Sequence, residues 1–131
     1  MGNIRRALHD ISLERGRRNK ERFFEAMKAK DSSVEMPKWF VRAYHASRKE
    51  DLFEGKDAII ETKDVGKLFI QIKSSYAGAQ NFLKGKHCKH HSFIGVIVIH
   101  DNDTNESIRT RARRILSKLR QDILEKRNVT A

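Results

Sequence analysis

Asp57 and the triplet Gln71-Ile72-Lys73 are separated by a segment, Ala58 to Ile70, that reads as a β-hairpin. Ala58-Ile59-Ile60-Glu61-Thr62 and Leu68-Phe69-Ile70-Gln71-Ile72-Lys73 have strand composition, and Asp64-Val65-Gly66-Lys67 between them has turn composition. The acid and the lysine are therefore expected on adjacent strands, with Gln71 and Lys73 on one face of theirs. Cleavage of a phosphodiester needs a carboxylate to hold a divalent cation and a nearby positive charge to steady hydroxide, and this spacing can supply both. The residues point to a metal-dependent nuclease. The plainer reading of Asp57 is a turn residue that opens a strand after Gly55-Lys56.

The elements that must position these groups follow from pattern. Ile4 to about Lys30 favours helix, with Ile4, Leu8 and Ile11 on one face and Phe23, Phe24 and Met27 on another. Gly16, within Arg15-Gly16-Arg17-Arg18, is expected to divide residues 1–14, a basic N-terminal arm or a helix of its own, from the true helix. Trp39 to Ala46 reads as a first strand, the hairpin supplies the second and third, and Ser74 to Lys84 reads as a short helix. The apolar run Phe93 to Ile99 predicts a central strand covered on both faces. A closing helix is expected from about Asn105 to Lys126, with Ile108, Ile115, Leu119 and Ile123 toward the core and Arg109, Arg111, Arg113, Arg114, Lys118 and Arg120 on its other faces. Helix, three strands, helix, strand, helix defines an α/β sandwich with a mixed central sheet flanked by helices.

Composition agrees. The 131 residues suit one domain, and 28 Lys and Arg against 17 Asp and Glu give a net charge of +11, the footprint of a polyanion binder. No apolar run approaches the roughly 20 residues of a spanning helix, and no signal-peptide pattern opens the chain, so a soluble cytoplasmic protein with no membrane association is expected. Cys88 is the single cysteine, which excludes an intramolecular disulfide and suits a reducing compartment.

Taken together, the element order, Asp57 at the start of the second strand and Gln71-Ile72-Lys73 in the third resemble the PD-(D/E)XK nuclease superfamily, whose fold is called restriction-endonuclease-like. The glutamine at the middle acidic position is similar to the QxK variant of Mrr-type restriction enzymes. The resemblance spans about Arg15 to Ile123. It departs from the pattern at Lys56, where a proline is usual, and at Gln71, which offers an amide oxygen in place of a charged ligand.

The resemblance implies a Mg²⁺-dependent DNA endonuclease of restriction, repair or junction-resolving type, with Mn²⁺ able to substitute. It implies that Asp57 and the Ile72 carbonyl ligate the metal, that Gln71 adds an oxygen or orients a metal-bound water, and that Lys73 assists the attacking water. A glutamate from the first helix, Glu21 with Glu25 as the second candidate, would complete the site. The bland reading of Glu21 is a solvated helix residue paired with Arg17 or Arg18. Glu61 is a cross-strand partner for a lysine or an accessory ligand. One metal site in so small a domain implies a homodimer on double-stranded or branched DNA.

Arg15, Arg17, Arg18 and Lys20 form one basic group, and Arg111 and Arg114 belong to another that has only Glu106 as a nearby acid. Both are expected to track phosphate in a salt-sensitive manner, or else to be solvated faces. Ser74 and Ser75 would add hydroxyl contacts, and Lys86 and Lys89 would add charge from the loop containing His87-Cys88-Lys89-His90-His91. That His/Cys cluster is better explained as a basic loop than as structural zinc, because adjacent residues seldom converge on one tetrahedral ion. Trp39 and Tyr44 are expected in the core. Two rival functions stay open: a nucleic-acid-binding protein of the same fold without catalysis, which Gln71 favours, and an interaction protein for RNA or a ribosome.

Overall fold

Residues Phe23, Ala26 and Met27 recur at the spacing of one helical turn, and burying them requires an apolar sheet face opposite. The computed structural model describes residues 2–30, 32–47, 56–83 and 94–130, and it supplies that face. Helix α1 (Gly2–Lys28) is followed by strands β1 (Phe40–His45), β2 (Ala58–Thr62) and β3 (Lys67–Lys73), helix α2 (Tyr76–Leu83), strand β4 (Ile94–Val98) and helix α3 (Asn105–Thr130). The described residues form a mixed α/β structure with one four-stranded mixed sheet and three helices.

Strand order in the sheet is β1-β2-β3-β4. The first three strands are antiparallel neighbours, and β4 lies parallel to β3 with Phe69 opposite Ile94 and Lys73 opposite Val98. A parallel neighbour cannot be reached by a tight turn, which is why α2 lies in the connection. The hairpin turn is closed locally. Gly66 adopts φ +80°, a conformation that glycine enters without a Cβ penalty. Thr62 bonds the Gly66 carbonyl through both its amide (3.0 Å) and its hydroxyl (2.5 Å).

Alternation along the strands sorts the side chains into two faces. Ala58, Ile60, Leu68, Ile70, Ile72, Ile97 and Ile99 form the principal core with Phe23 and Ala26 of α1 and Ile108, Ala112 and Leu116 of α3. The opposite face carries Phe69, Gln71 and Lys73, and α2 packs there, with its buried Ala79 and Phe82.

Three sequence expectations are corrected. Helix α1 runs unbroken through Gly16, so residues 2–14 are helix and not a separate arm: one glycine costs about 1 kcal/mol, which strong helix formers on either side outweigh. Among the described residues strand β4 ends the sheet and is not central. A continuous apolar run reports burial of both faces, which α3 and α2 provide, and not two strand neighbours. Arg109, assigned to an outward face, is buried. Its guanidinium donates to the carbonyls of Ala26 (3.0 Å), Met27 (3.1 Å) and Val34 (2.8 Å), the first two in the last turn of α1, where carbonyls run short of intrahelical partners. The connection 48–55 lies outside the described residues.

Two glycines predict opposite outcomes of the same substitution. A Cβ at Gly16 meets nothing within 4 Å, whereas one at Gly95 would lie 2.5 Å from Ile115 and 3.0 Å from Leu119 of α3. Gly16→Ala should stabilise the protein by about 0.5–1 kcal/mol. Gly95→Ala should destabilise it by about 1–3 kcal/mol by forcing α3 from the sheet. Chemical denaturation of both variants checks the pair.

Candidate active site

Strand β2 begins at Ala58, opposite Ile70, whereas β3 continues to Lys73. Asp57 closes the last regular rung, its amide donating to the Ile70 carbonyl at 2.9 Å. Beyond it the edge of β3 has no backbone partner from β2. The Ile72 amide points to that edge and donates to Asp57 Oδ2 at 2.7 Å, so a side-chain carboxylate stands where a strand carbonyl would be. In strand geometry the Ile72 carbonyl faces the same edge as its amide. Asp57 is also tied to the end of β1, its carbonyl accepting from the Ala46 amide at 3.1 Å.

The Asp57 side chain is only 1% exposed, and an anion so placed must be compensated. Lys20 of α1 provides this, its Nζ lying 3.1 Å from Asp57 Oδ1. Its neighbour Asn19, fully buried, donates from Nδ2 to the Ile99 carbonyl at 3.3 Å. Consecutive residues of α1 thereby hold the strand ends on both sides of β3.

The regular β2–β3 register ends at Ala58 opposite Ile70, and Gln71 is the next residue along β3. Gln71 is buried, and its Oε1 has no hydrogen-bond partner among the described residues. An orphaned acceptor of this kind costs about 1–3 kcal/mol and marks a place for water or a cation. Lys73, two residues on, is half-buried; its Nζ lies 5.5 Å from the Phe82 ring centroid and has no carboxylate partner among the described residues. Its charge is thus not committed to an ion pair among the described residues.

The donors offered near this end of β3, the Asp57 carboxylate, the Gln71 amide oxygen and the Ile72 carbonyl, are all hard oxygens. That set suits Mg²⁺ or Mn²⁺ and not a thiophilic metal, and Mg²⁺ is commonly held by one or two carboxylates with water and substrate phosphate completing its shell. Among the described residues no three His, Cys, Asp or Glu side chains gather about a common position. The fit therefore rests on a single carboxylate with neutral oxygens.

Lys20, expected on a phosphate-tracking surface, meets Asp57, and Glu21, expected at the metal, is exposed. Glu21 and Glu25 lie exposed along a cleft of about 220 Å³ shared with Phe24, Lys28 and His45, while Lys20 is the α1 side chain that meets Asp57. Helical period explains this: the core face through Phe23 and Met27 includes position 20, and position 21 is turned a further 100° away. Glu61 pairs across strands with Arg42 at 2.6 Å. Sequence reasoning missed Asn19, although its place one turn before Phe23 was a usable signal.

The basic groups divide between surface and interior. Arg15 and Arg18 are exposed, and Arg17 is bound to Glu14 at 2.8 Å. Arg114 is exposed beside Arg113, Thr110, Ser117 and Ser33 along a cleft of about 440 Å³. Arg111, expected on the same surface, turns inward to Asp103 (2.9 and 3.0 Å) and to the Val98 carbonyl (2.7 Å). Asp103, Asp64 (with Arg120, 2.6 Å) and Glu106 (with Ser32 and Ser33) are the acids of this region, so Glu106 does not stand alone. Ser75 Oγ accepts from the Gly78 amide at 3.0 Å and caps α2, while Ser74 is exposed. Trp39 packs against the core. Lys86, Lys89 and the His87–His91 cluster lie outside the described residues.

Arg111 above all, with the His100 amide and the Ser107 hydroxyl, holds the Asp103 carboxyl far below its ordinary value. Because the folded-state pKa is depressed, its stabilisation is complete above the unfolded value of about 4 and is lost as pH falls further. Asp103→Asn should cost about 1–3 kcal/mol at neutral pH and should flatten the loss of stability below about pH 4, as urea denaturation across pH will show.

Comparison with protein-family models, with curated proteins and with solved structures finds no match to this chain.

Proposed function

We propose that the protein is a divalent-cation-dependent DNA endonuclease with a restriction-endonuclease-like fold, acting as a homodimer. The observation that supports the reading is that one end of β3 has beside it a buried carboxylate bonded to the Ile72 amide and carries a buried amide oxygen without a partner and a lysine without an acid partner among the described residues. The net charge of +11 and the exposed Arg15, Arg18, Arg113 and Arg114 support a nucleic-acid partner.

Asp57, Gln71 Oε1 and the Ile72 carbonyl would hold Mg²⁺. When bound, the metal supplies Lewis-acid polarisation of a phosphoryl oxygen and eases deprotonation of water. Lys73 offers positive charge to the equatorial oxygens as the phosphorus becomes five-coordinate. The Ile72 amide fixes the Asp57 carboxylate, so that its own rotamer need not change. The arginine surfaces bind the backbone without reading base edges.

A second reading, a DNA-binding module without catalysis, is favoured by the Lys20 ammonium on Asp57 and by the uncharged Gln71. Incubation with supercoiled, linear, single-stranded and branched DNA in Mg²⁺ or Mn²⁺ separates the two. The nuclease reading expects metal-dependent cutting that falls about 10²–10³-fold in Lys73→Ala and in Asp57→Ala, with salt-sensitive DNA binding retained. Binding without cutting on every substrate would establish the module instead.

A further inference from the structure

We infer that Lys20 is a built-in competitor for the divalent cation: its ammonium occupies the cation position on Asp57, and a metal ion binds by displacing it. The inference rests on the reading of Asp57 as the metal-holding carboxylate.

The geometry leaves little alternative for a cation approaching Asp57. One oxygen is engaged by the Ile72 amide at 2.7 Å and the other faces Lys20 Nζ at 3.1 Å. A carboxylate has lone pairs enough for a further contact. Electrostatics disfavours it, because a divalent ion and an ammonium on one carboxylate would lie within a few ångströms of each other beside a carboxylate that is 1% exposed. The exchange is sterically open. The Lys20 side chain is 32% exposed and the Asp57 side chain 1%, so the lysine can leave toward water while the carboxylate stays in place. Lysine suits this part: it is a point charge on a flexible four-carbon stem, without the fixed bidentate fork by which arginine would lock the carboxylate.

Two consequences separate this from an ordinary structural ion pair. Without metal, the ammonium keeps a buried anion compensated, so the fold does not depend on metal. With metal, each divalent ion bound must release one internal cation, which lowers apparent affinity. An oxygen site with a single carboxylate would then be filled only at high metal concentration, or when a polyanion draws the ammonium outward.

Mn²⁺ titration followed by calorimetry and by melting temperature tests this on the full chain, comparing the unaltered protein with Lys20→Met and Lys20→Gln. The methionine removes the charge at similar volume. The glutamine keeps a hydrogen-bond donor for Asp57, which guards against a variant that fails to fold. Lys67→Met, at the exposed far end of the hairpin, controls for loss of one positive charge. Both Lys20 variants should bind Mn²⁺ about tenfold or more tightly than the unaltered protein. They should also melt lower in chelator and regain the loss when Mn²⁺ is added, while Lys67→Met does neither. Equal Mn²⁺ affinity in the unaltered protein and both Lys20 variants would overturn the inference and leave the nuclease reading standing. Mn²⁺ binding that persists unchanged in Asp57→Asn would overturn the inference together with the assignment of Asp57 as metal ligand.

Discussion

The unequal length of β2 and β3 is the constraint from which the site follows. A strand that outruns its neighbour exposes amides that must find acceptors, and here the Asp57 carboxylate accepts from Ile72 where β2 has ended. Using a charged acceptor in a buried position creates a second demand, for a cation, and Lys20 meets it from α1. One unpaired amide thereby links the hairpin, the helix above it and the ionic state of the candidate site.

Helix α1 is held along the same line. Asn19 bonds the Ile99 carbonyl, Lys20 meets Asp57, and Arg22 donates to the carbonyls of His100 and Asp103. These residues fix α1 over the ends of β2, β3 and β4 while Phe23, Ala26 and Met27 bury its apolar stripe. The polar contacts set where the helix lies along the sheet, which non-directional apolar packing specifies less sharply. Gln71 and Lys73 stand at the carboxyl end of β3, beside its parallel neighbour β4.

The positive charge of the chain is divided between two tasks. Arg109, Arg111, Arg120 and Arg22 serve the fold through backbone carbonyls or acids, and Arg120 also lies over the Trp39 ring. Arg15, Arg18 and Arg114 remain exposed. A guanidinium can bridge several carbonyls at a helix end because its donors are fixed in a plane, which is why Arg109 tolerates burial. The charge seen by a polyanion is set by the second group.

The hairpin, both of its strands and the closing helix were legible in the sequence, because turn chemistry and side-chain period are local properties and Gly66 with Thr62 satisfies the turn from within it. The convergence of Asp57 with the Ile72 strand was legible for the same reason: both belong to that hairpin. Gly16 was misjudged because breaking a helix depends on the sum over its neighbours and not on one residue. The edge position of β4, the inward turn of Arg109 and Arg111, and the choice of Lys20 over Glu21 were decided by tertiary structure. Each depends on which unpaired carbonyl or buried carboxylate lies opposite once α1 and α3 have docked, and a local pattern carries the direction of a side chain but not the group it will meet.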